Sequence, residues 1–301
     1  MDRRTRCLLG GLRVAERLAG MVPRRVADAL LVVPGLAWFA AAPASRAAVR
    51  ANLRVVRGRE PRPGQVAAVF VAGARNYWDT LALSHLTSAA VDSLIESSGW
   101  EHLDHALAQG RGVVMVGAHI GSTAMAAQLI AGRGYPVTAV LEPIQPPELY
   151  ELFTRLRSAL GVRYVPVGGL AARQLLATLK RNEIVGLISD RDVLGTGPTV
   201  AFCGAATTFP DGAAVLSLRT GAPILFGIAW RLPSGRFRGV VEPLREVPRV
   251  GDTHADARAI TQAVADHLGY YVRRHAEQWT VFQRRWPDTG VSLRPSDPVT
   301  A

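Results

Sequence analysis

From Ser88 onward the chain alternates short apolar runs with amphipathic ones, and this alternation most constrains what it can fold into. Candidate strands are Val113–Val116, Val137–Glu142, Arg163–Val167, Ile184–Ser189, Ile224–Trp230 and Arg236–Glu242. Helical patterns fall between and after them, at Glu101–Gln109, Thr123–Ala131, Pro147–Leu160, Gly169–Arg181, Asp211–Arg219 and Thr253–His275. Short apolar runs of this kind are what strands buried on both faces look like. Strands separated by helical segments predict an α/β fold: a mostly parallel sheet flanked by helices on both faces.

Residues 8–85 have a different texture. They read as helices at Leu12–Gly20, Pro23–Val33, Ser45–Val56 and Gly64–Ser84, with Pro61 and Pro63 in the last connecting loop. The expected organisation is an N-terminal helical region over 1–86 and an α/β core over 87–286. The tail 287–301, with Pro287, Pro295 and Pro298 among Ser and Asp, reads as disordered.

The most apolar stretch, Ala29–Ala42, is broken by Pro34 and Gly35 and falls short of the roughly 20 residues a spanning helix needs. Arg24 and Arg25 before it and Trp38-Phe39 within it suit a membrane interface, although a buried helical hairpin explains the stretch about as well. The basic N-terminus (Arg3, Arg4, Arg6) is not followed by the apolar run of a secretion signal. Cys7 and Cys203 are the only cysteines, too few for a disulfide framework or a thiolate zinc site, which fits a reducing cytoplasm. The net charge of +11 comes from 35 Lys and Arg against 24 Asp and Glu, and Lys180 is the single lysine. A GC-rich coding bias accounts for such arginine usage; so does an anionic partner, whether a phospholipid surface, a phosphorylated acceptor or an acidic carrier protein. No nucleic-acid motif accompanies the charge, and no nucleic-acid partner is expected.

His119 is the histidine that stands apart. It follows the run Val113–Val116 in VVMVGAHIGSTAM, between Gly117 and Gly121, and Ser122 is a natural cap for the helix that begins at Thr123. Open α/β sheets place their chemistry at such strand-to-helix turns, beyond the carboxyl ends of the strands. The other reading is a ring that braces a turn. His85, His102, His105, His254, His267 and His275 lie in helical segments, where solvent or helix ends explain them.

Ser189-Asp190-Arg191-Asp192 also follows a strand and so falls at a carboxyl end. There Asp190 can orient an imidazole and Arg191 can hold a phosphate, while a surface ion-pair loop is the plainer reading. Glu142 ends another strand and is a second acid for the same cleft. Phe209-Pro210-Asp211-Gly212 opens a helix and reads best as a good cap. No Gly-x-Ser-x-Gly elbow, nucleotide-binding glycine loop or metal-ligand spacing is present, so no metal is expected.

These pieces, taken in order, resemble the bacterial lipid A biosynthesis (lauroyl/myristoyl) acyltransferases, and more closely the phosphatidylinositol mannoside acyltransferases of the same superfamily. The resemblance rests on AVRANLRVVRG (48–58), RNYWDTLAL (75–83), GWEHLDHALAQGRGVVMVGAHIGS (99–122), LEPIQPPELYELFTRLRSALGVRYVPVG (141–168), LISDRDVLGTGPTVAFCGAATTFPDGAAVLSLRTGAPIL (187–225) and AEQWTVFQRRW (276–286). It implies a glycerolipid-acyltransferase-like fold and an enzyme peripheral on the cytoplasmic face of the cell membrane. That enzyme moves a fatty acyl group from acyl-CoA or acyl carrier protein, as co-substrate, to a hydroxyl of a glycolipid or phospholipid, with no other cofactor. The helical segment 8–85 would dock to the membrane or line the acyl tunnel.

The resemblance makes His119 the general base and expects an acid five residues later, where this chain has Ala124. Three readings follow. Another acid can stand in, Asp190 first and Glu142 second, with Ser122 and Thr123 offering hydroxyls to the ring. Alternatively the acceptor is an amine or hydroxyl of a specialised metabolite, served from a carrier-protein thioester with less help from a base. The third is a catalytically silent relative that binds lipid or carrier protein. Arg191 and Arg157 are candidates for a phosphate of the donor or of the lipid head group. Backbone N–H groups around Gly121–Thr123 are candidates for the oxyanion.

Overall fold

The computed structural model describes residues 3–286; the expected disorder of 287–301 lies outside the described residues. The N-terminal region is helical throughout: α1 (Arg3–Met21), α2 (Arg24–Leu30), α3 (Val32–Ala41), α4 (Pro43–Arg57) and α5 (Pro63–Ala82). Then come α6 (Ser88–Leu94), β1 (Ile95–Ser98), α7 (Trp100–Leu107), β2 (Val113–Gly117), α8 (Thr123–Gly132), β3 (Val137–Leu141), α9 (Pro147–Arg157) and β4 (Arg163–Pro166). The chain continues through α10 (Gly169–Lys180), β5 (Ile184–Ile188), the hairpin β6 (Thr199–Phe202) and β7 (Ala205–Thr208), and α11 (Gly212–Thr220). It ends with β8 (Ile224–Arg231), β9 (Phe237–Pro243) and α12 (Thr253–Arg274).

Seven strands form one sheet in the order β1-β9-β8-β2-β5-β3-β4, parallel at every pairing except β8 with β9. The predicted α/β class with a mostly parallel sheet is what the chain adopts. The two faces of β2 enter different layers. Val114 and Val116 join a core with residues of α10, α11 and α12, whereas Val113 and Met115 join Leu103 of α7 and Ile130 of α8. Helices therefore cover both faces.

Several elements differ from the sequence expectation. The segment expected to be one helix, Pro23–Val33, breaks at Leu31 into α2 and α3. Pro34 accounts for this: its nitrogen cannot donate to Leu30, four residues back, and its ring crowds that carbonyl. Helix α6, capped by the Thr87 hydroxyl, and strand β1 were not expected. Ile-Glu-Ser-Ser carries one apolar residue at a sheet edge and offers little pattern to read. The hairpin β6–β7 turns through Cys203 and Gly204, both at positive φ (50° and 81°), the backbone that a tight hairpin needs.

The N-terminal helices are joined to the sheet rather than appended to it. Val49 and Leu53 of α4 and Val66, Val69 and Phe70 of α5 belong to the same core as β2, β5 and β8. Helix α3 comes close to α5 because Gly35 has no side chain; a Cβ there would lie 2.7 Å from Val71 Cα. Buried Asp79 of α5 accepts from Arg24 of α2 at 2.7 Å and from Arg231 of β8 at 2.5 Å. A carboxylate withdrawn from water needs such partners, so this pair of arginines fixes where α5 meets the sheet. Among the described residues no single helix is long and apolar enough to cross a membrane. The stretches Arg24–Ala41 and Pro43–Arg57 pass that test only together, and they are bent by 98° at their junction.

Candidate active site

Strand β2 lies between β5 and β8, and its register with β5 sets Gly117 opposite Ile188. Two residues beyond each of these, at the carboxyl ends of the strands, come His119 and Asp190. The turn that carries His119 is tight. Ile120 N–H donates to Ala118 O at 2.7 Å, and Gly121 sits at φ 56° where a Cβ would lie 2.4 Å from Ala229 O. Only glycine fits there. Ser122 then caps α8, its hydroxyl accepting from Met125 N–H at 3.4 Å.

Asp190 is fully buried and His119 is 32% exposed. The ring Nδ1 lies 2.6 Å from Asp190 Oδ1, and the His119 backbone N–H donates to Oδ2 at 2.9 Å. A carboxylate only accepts, so Nδ1 donates, which in the neutral tautomer leaves the lone pair on Nε2. Burial pushes the Asp190 carboxyl upward, but the His119 ring, the two bonds from His119 and the Trp279 indole outweigh it and hold it below the usual aspartate range. Asp190 is thus held ionised next to the imidazole.

The other candidates are placed as follows. Glu142 is not on His119; it pairs with Arg191 at 3.1 Å, and both line the cavity described below. Glu142 is engaged by that arginine while Asp190 occupies the ring nitrogen. Arg157 ends α9 with its guanidinium 5.9 Å from the Phe153 ring centroid, and its buried Nε has no hydrogen-bond partner among the described residues. Ser122 and Thr123 line the same cavity. Of the expected oxyanion donors, the Gly121 N–H is already spent on Gln278 O at 3.2 Å. Ala124, where the acid was expected, is buried among Leu83, Val91, Met125 and Phe237. No group of three or more His, Cys, Asp or Glu among the described residues is placed to hold a metal ion.

His119 opens into a cavity of about 880 Å³, one part of which runs beneath α8 along one face of the sheet, while residues of α10 and α11 on the other face line another part. Its floor beneath α8 is made of small or flexible residues: Met115, Gly117, Ala139, Gly186 and Gly227. Gly186 is only half-buried although it lies on a central strand, because the cavity reaches it. Tyr164 lines the wall, and burial pushes its phenol up to about 12. An apolar cavity with an imidazole nitrogen beside it suits an alkyl chain whose reactive end stops at His119.

Residues 276–286 lie across this centre, and the reading of single residues missed them. The Trp279 indole N–H donates to Asp190 Oδ2 at 2.6 Å, and Thr280 N–H donates to His119 O at 2.8 Å. Buried Arg285 donates from Nε to Asp190 O at 2.7 Å and from a terminal nitrogen to Thr207 Oγ1 at 2.7 Å. The one signal for them in the sequence was the stretch AEQWTVFQRRW, which carried part of the resemblance.

Known proteins of similar sequence are acyltransferases. Phosphatidylinositol mannoside acyltransferase of Mycobacterium tuberculosis (strain CDC 1551 / Oshkosh) is 32% identical over 248 residues, covering 79% of this chain and 76% of the relative. The protein of the same name from Mycolicibacterium smegmatis is 28% identical over 282 residues, covering 92% and 90%. The profile of the bacterial lipid A biosynthesis acyltransferases matches residues 13–288, so the chain belongs to that family of lipid acyltransferases.

Proposed function

We propose that this acyltransferase takes a fatty acyl group from a thioester, acyl-CoA or acyl carrier protein, and places it on a hydroxyl of a glycolipid or phospholipid, with His119 as general base. The observation that carries the reading is the His119–Asp190 contact beside the apolar cavity. The acyl chain lies beneath α8 with its carbonyl at His119. Nε2 takes the proton of the acceptor hydroxyl as its oxygen attacks the thioester carbon, and Asp190 stabilises the imidazolium that forms. The tetrahedral oxyanion then collapses, the C–S bond breaks, and the imidazolium returns its proton to the departing thiolate. Ser122, Thr123 and the first-turn amides of α8, which line the cavity beside His119, serve as oxyanion donors in this reading.

Arg191 and Arg157 receive phosphate in this reading, from the pantetheine arm of the donor or from the head group of the acceptor. Arg191 does so by exchanging Glu142 for the incoming anion, and the unsatisfied Nε of Arg157 favours a polar group from the substrate. The named relatives make a mannosylated phosphoinositide the first acceptor to try. The Asp190 contact also weakens the case for a silent relative, which drew its support from the missing acid at Ala124, and for an amine acceptor, which drew on that missing acid together with the basic charge.

The test is a transfer assay with palmitoyl-CoA and vesicles carrying phosphatidylinositol mannoside, followed by thiol release and by mass spectrometry of the lipid. His119→Ala should abolish acyl-lipid formation. Transfer at the wild-type rate in that variant overturns the reading, and acylation of an added amine in preference to the glycolipid would redirect it.

A further inference from the structure

Asp190 has two carboxylate oxygens and three donors. Oδ1 faces the His119 ring; Oδ2 takes the His119 backbone N–H at 2.9 Å and the Trp279 indole N–H at 2.6 Å. Trp279 is 2% exposed, packed near Phe202 and Trp286. Its neighbours in sequence are tied to the other half of the pair. Ile120 and Trp279 form a β-bridge, Gln278 O accepts from Gly121 N–H, and Thr280 donates to His119 O from both its backbone N–H and its hydroxyl. The far end of the same segment is anchored by Asn52, whose amide donates to Val281 O and Gln283 O and whose oxygen accepts from Arg285 N–H.

We propose that Trp279 is a positioning residue for acyl transfer: its indole N–H fixes the orientation and basicity of the Asp190 carboxylate, and residues 276–286 hold His119 and Asp190 at one separation. The argument is chemical. Without the indole, Oδ2 would keep only the His119 backbone N–H, and the buried carboxylate would be freer to rotate and share its oxygens differently between the ring and that N–H, with the ring following. The indole donor prevents that rotation and draws charge toward Oδ2, which tempers the pull of Oδ1 on the imidazole proton. Other charges face Asp190 through the backbone or at longer range. Arg285 is on its carbonyl, Asp192 lies near Arg285, and Arg191 is paired with Glu142. None of these three hydrogen-bonds the carboxylate oxygens, so the indole is the side-chain donor that acts on Oδ2.

The inference rests on the general-base reading above, and its test separates the two. Two variants remove the donor: Trp279→Phe, and site-specific replacement of Trp279 by 3-benzothienylalanine, which keeps the bicyclic shape with sulfur in place of N–H. The first readout is the NMR titration of the His119 ring, which needs only folded protein. In both variants it should move to higher pH by about half a unit or more, because Oδ1 then carries more of the charge. The second readout is palmitoyl transfer. There kcat should fall about tenfold or more with KM for palmitoyl-CoA unchanged, and the acid limb of the pH–rate profile should move upward with the titration. An unmoved His119 titration in the benzothienyl variant overturns the inference, whatever the rate does. If His119→Ala keeps wild-type transfer, the general-base reading fails instead, and the titration still decides what Trp279 does to His119.

Discussion

The Asp190 carboxylate holds His119 at two points, the ring Nδ1 at 2.6 Å and the backbone N–H at 2.9 Å. The acid comes from the end of the neighbouring strand β5, not from the helix that follows the histidine. Register explains why this works: β2 and β5 are parallel and paired at Gly117 and Ile188, so the two residues project from the same rim. An acid on α8 could orient the ring from one side only. Asp190 also fixes the peptide that carries the ring.

Asp190→Asn should therefore cost most of the turnover. The amide keeps the shape but offers Nδ1 a different partner, and it removes the countercharge for the imidazolium. A loss of roughly 10²–10⁴-fold in kcat is expected, with KM for the thioester little changed. The substitution also sets an amide N–H against either the Trp279 indole or the ring, so melting should drop by the equivalent of about 1–3 kcal/mol. Steady-state kinetics beside a thermal melt checks both, and near-normal turnover would remove Asp190 from the mechanism.

The depressed Asp190 carboxyl has a consequence for acid stability. A group whose folded pKa lies below its unfolded value contributes stability above the unfolded value and loses it as pH falls through the folded one. The ordinary value is 3.8 and Asp190 is lowered from it, so the contribution is present at neutral pH and is lost in strong acid. Urea midpoints measured from pH 6 down to pH 2 should fall more steeply for the wild type than for Asp190→Asn. Parallel curves would mean that the carboxylate is not held ionised by its partners.

The expected acid at position 124 should not be restorable. Ala124 is 5% exposed, packed with Leu83, Val91, Met125 and Phe237, and Nδ1 of His119 already has its carboxylate. Ala124→Glu would bring a second negative charge into that apolar cluster. It should lower the melting temperature by several degrees and leave kcat no higher than wild type. A gain in turnover would show that the helix acid still finds the ring.

How much of this was legible in the sequence depends on the range of the interaction. His119 stood out because Gly117, Gly121 and Ser122 mark a strand-to-helix turn locally, and that signal needs no partner. Asp190 was placeable because it follows an apolar run, and parallel strands bring their carboxyl ends together. Glu142 looked equivalent on the same grounds. Its neighbour in space, Arg191, is 49 residues away, and no periodicity announces that pairing. Trp279 was harder still, an indole bonded to a carboxylate 89 residues distant, in a segment with a 3₁₀ turn at Ala276–Gln278 and a single β-bridge but no helix or strand pattern to read. Strand β1 escaped because an edge strand reading Ile-Glu-Ser-Ser has no apolar alternation to show.

The N-terminal helices carry the membrane prediction. Val14, Leu18, Met21, Leu30 and Val33 are all exposed on α1–α3 and their connections, with arginines nearby in sequence. Exposed apolar side chains beside cationic ones favour an anionic bilayer surface. The protein should co-sediment with vesicles containing phosphatidylinositol or phosphatidylglycerol and less with pure phosphatidylcholine, and high salt should weaken the binding. Leu18→Glu with Val33→Glu should reduce the bound fraction at least several-fold with the melting temperature preserved. Equal partitioning of wild type and variant would place the membrane contact elsewhere.

The cavity floor makes the last prediction. Gly186 sits mid-strand in β5, a position where glycine weakens a sheet, and an ideal Cβ there would be 3.3 Å from Ala139 Cβ. What glycine supplies in exchange is open space beneath α8, in line with Met115 and Ala139. Gly186→Leu would fill that space with a branched alkyl group and shorten the room for a chain lying there. Each methylene excluded from an apolar site forfeits about 0.8 kcal/mol of binding, so losing two of them changes selectivity by roughly tenfold. Competition between decanoyl-CoA and palmitoyl-CoA should shift toward the shorter donor by that factor or more. Overpacking against Ala139 adds a stability cost of about 1–3 kcal/mol, which a melt reports separately. An unchanged chain-length preference would mean that the acyl chain takes another path through the cavity, toward the groove between α10 and α11 that Leu175 and Leu216 line.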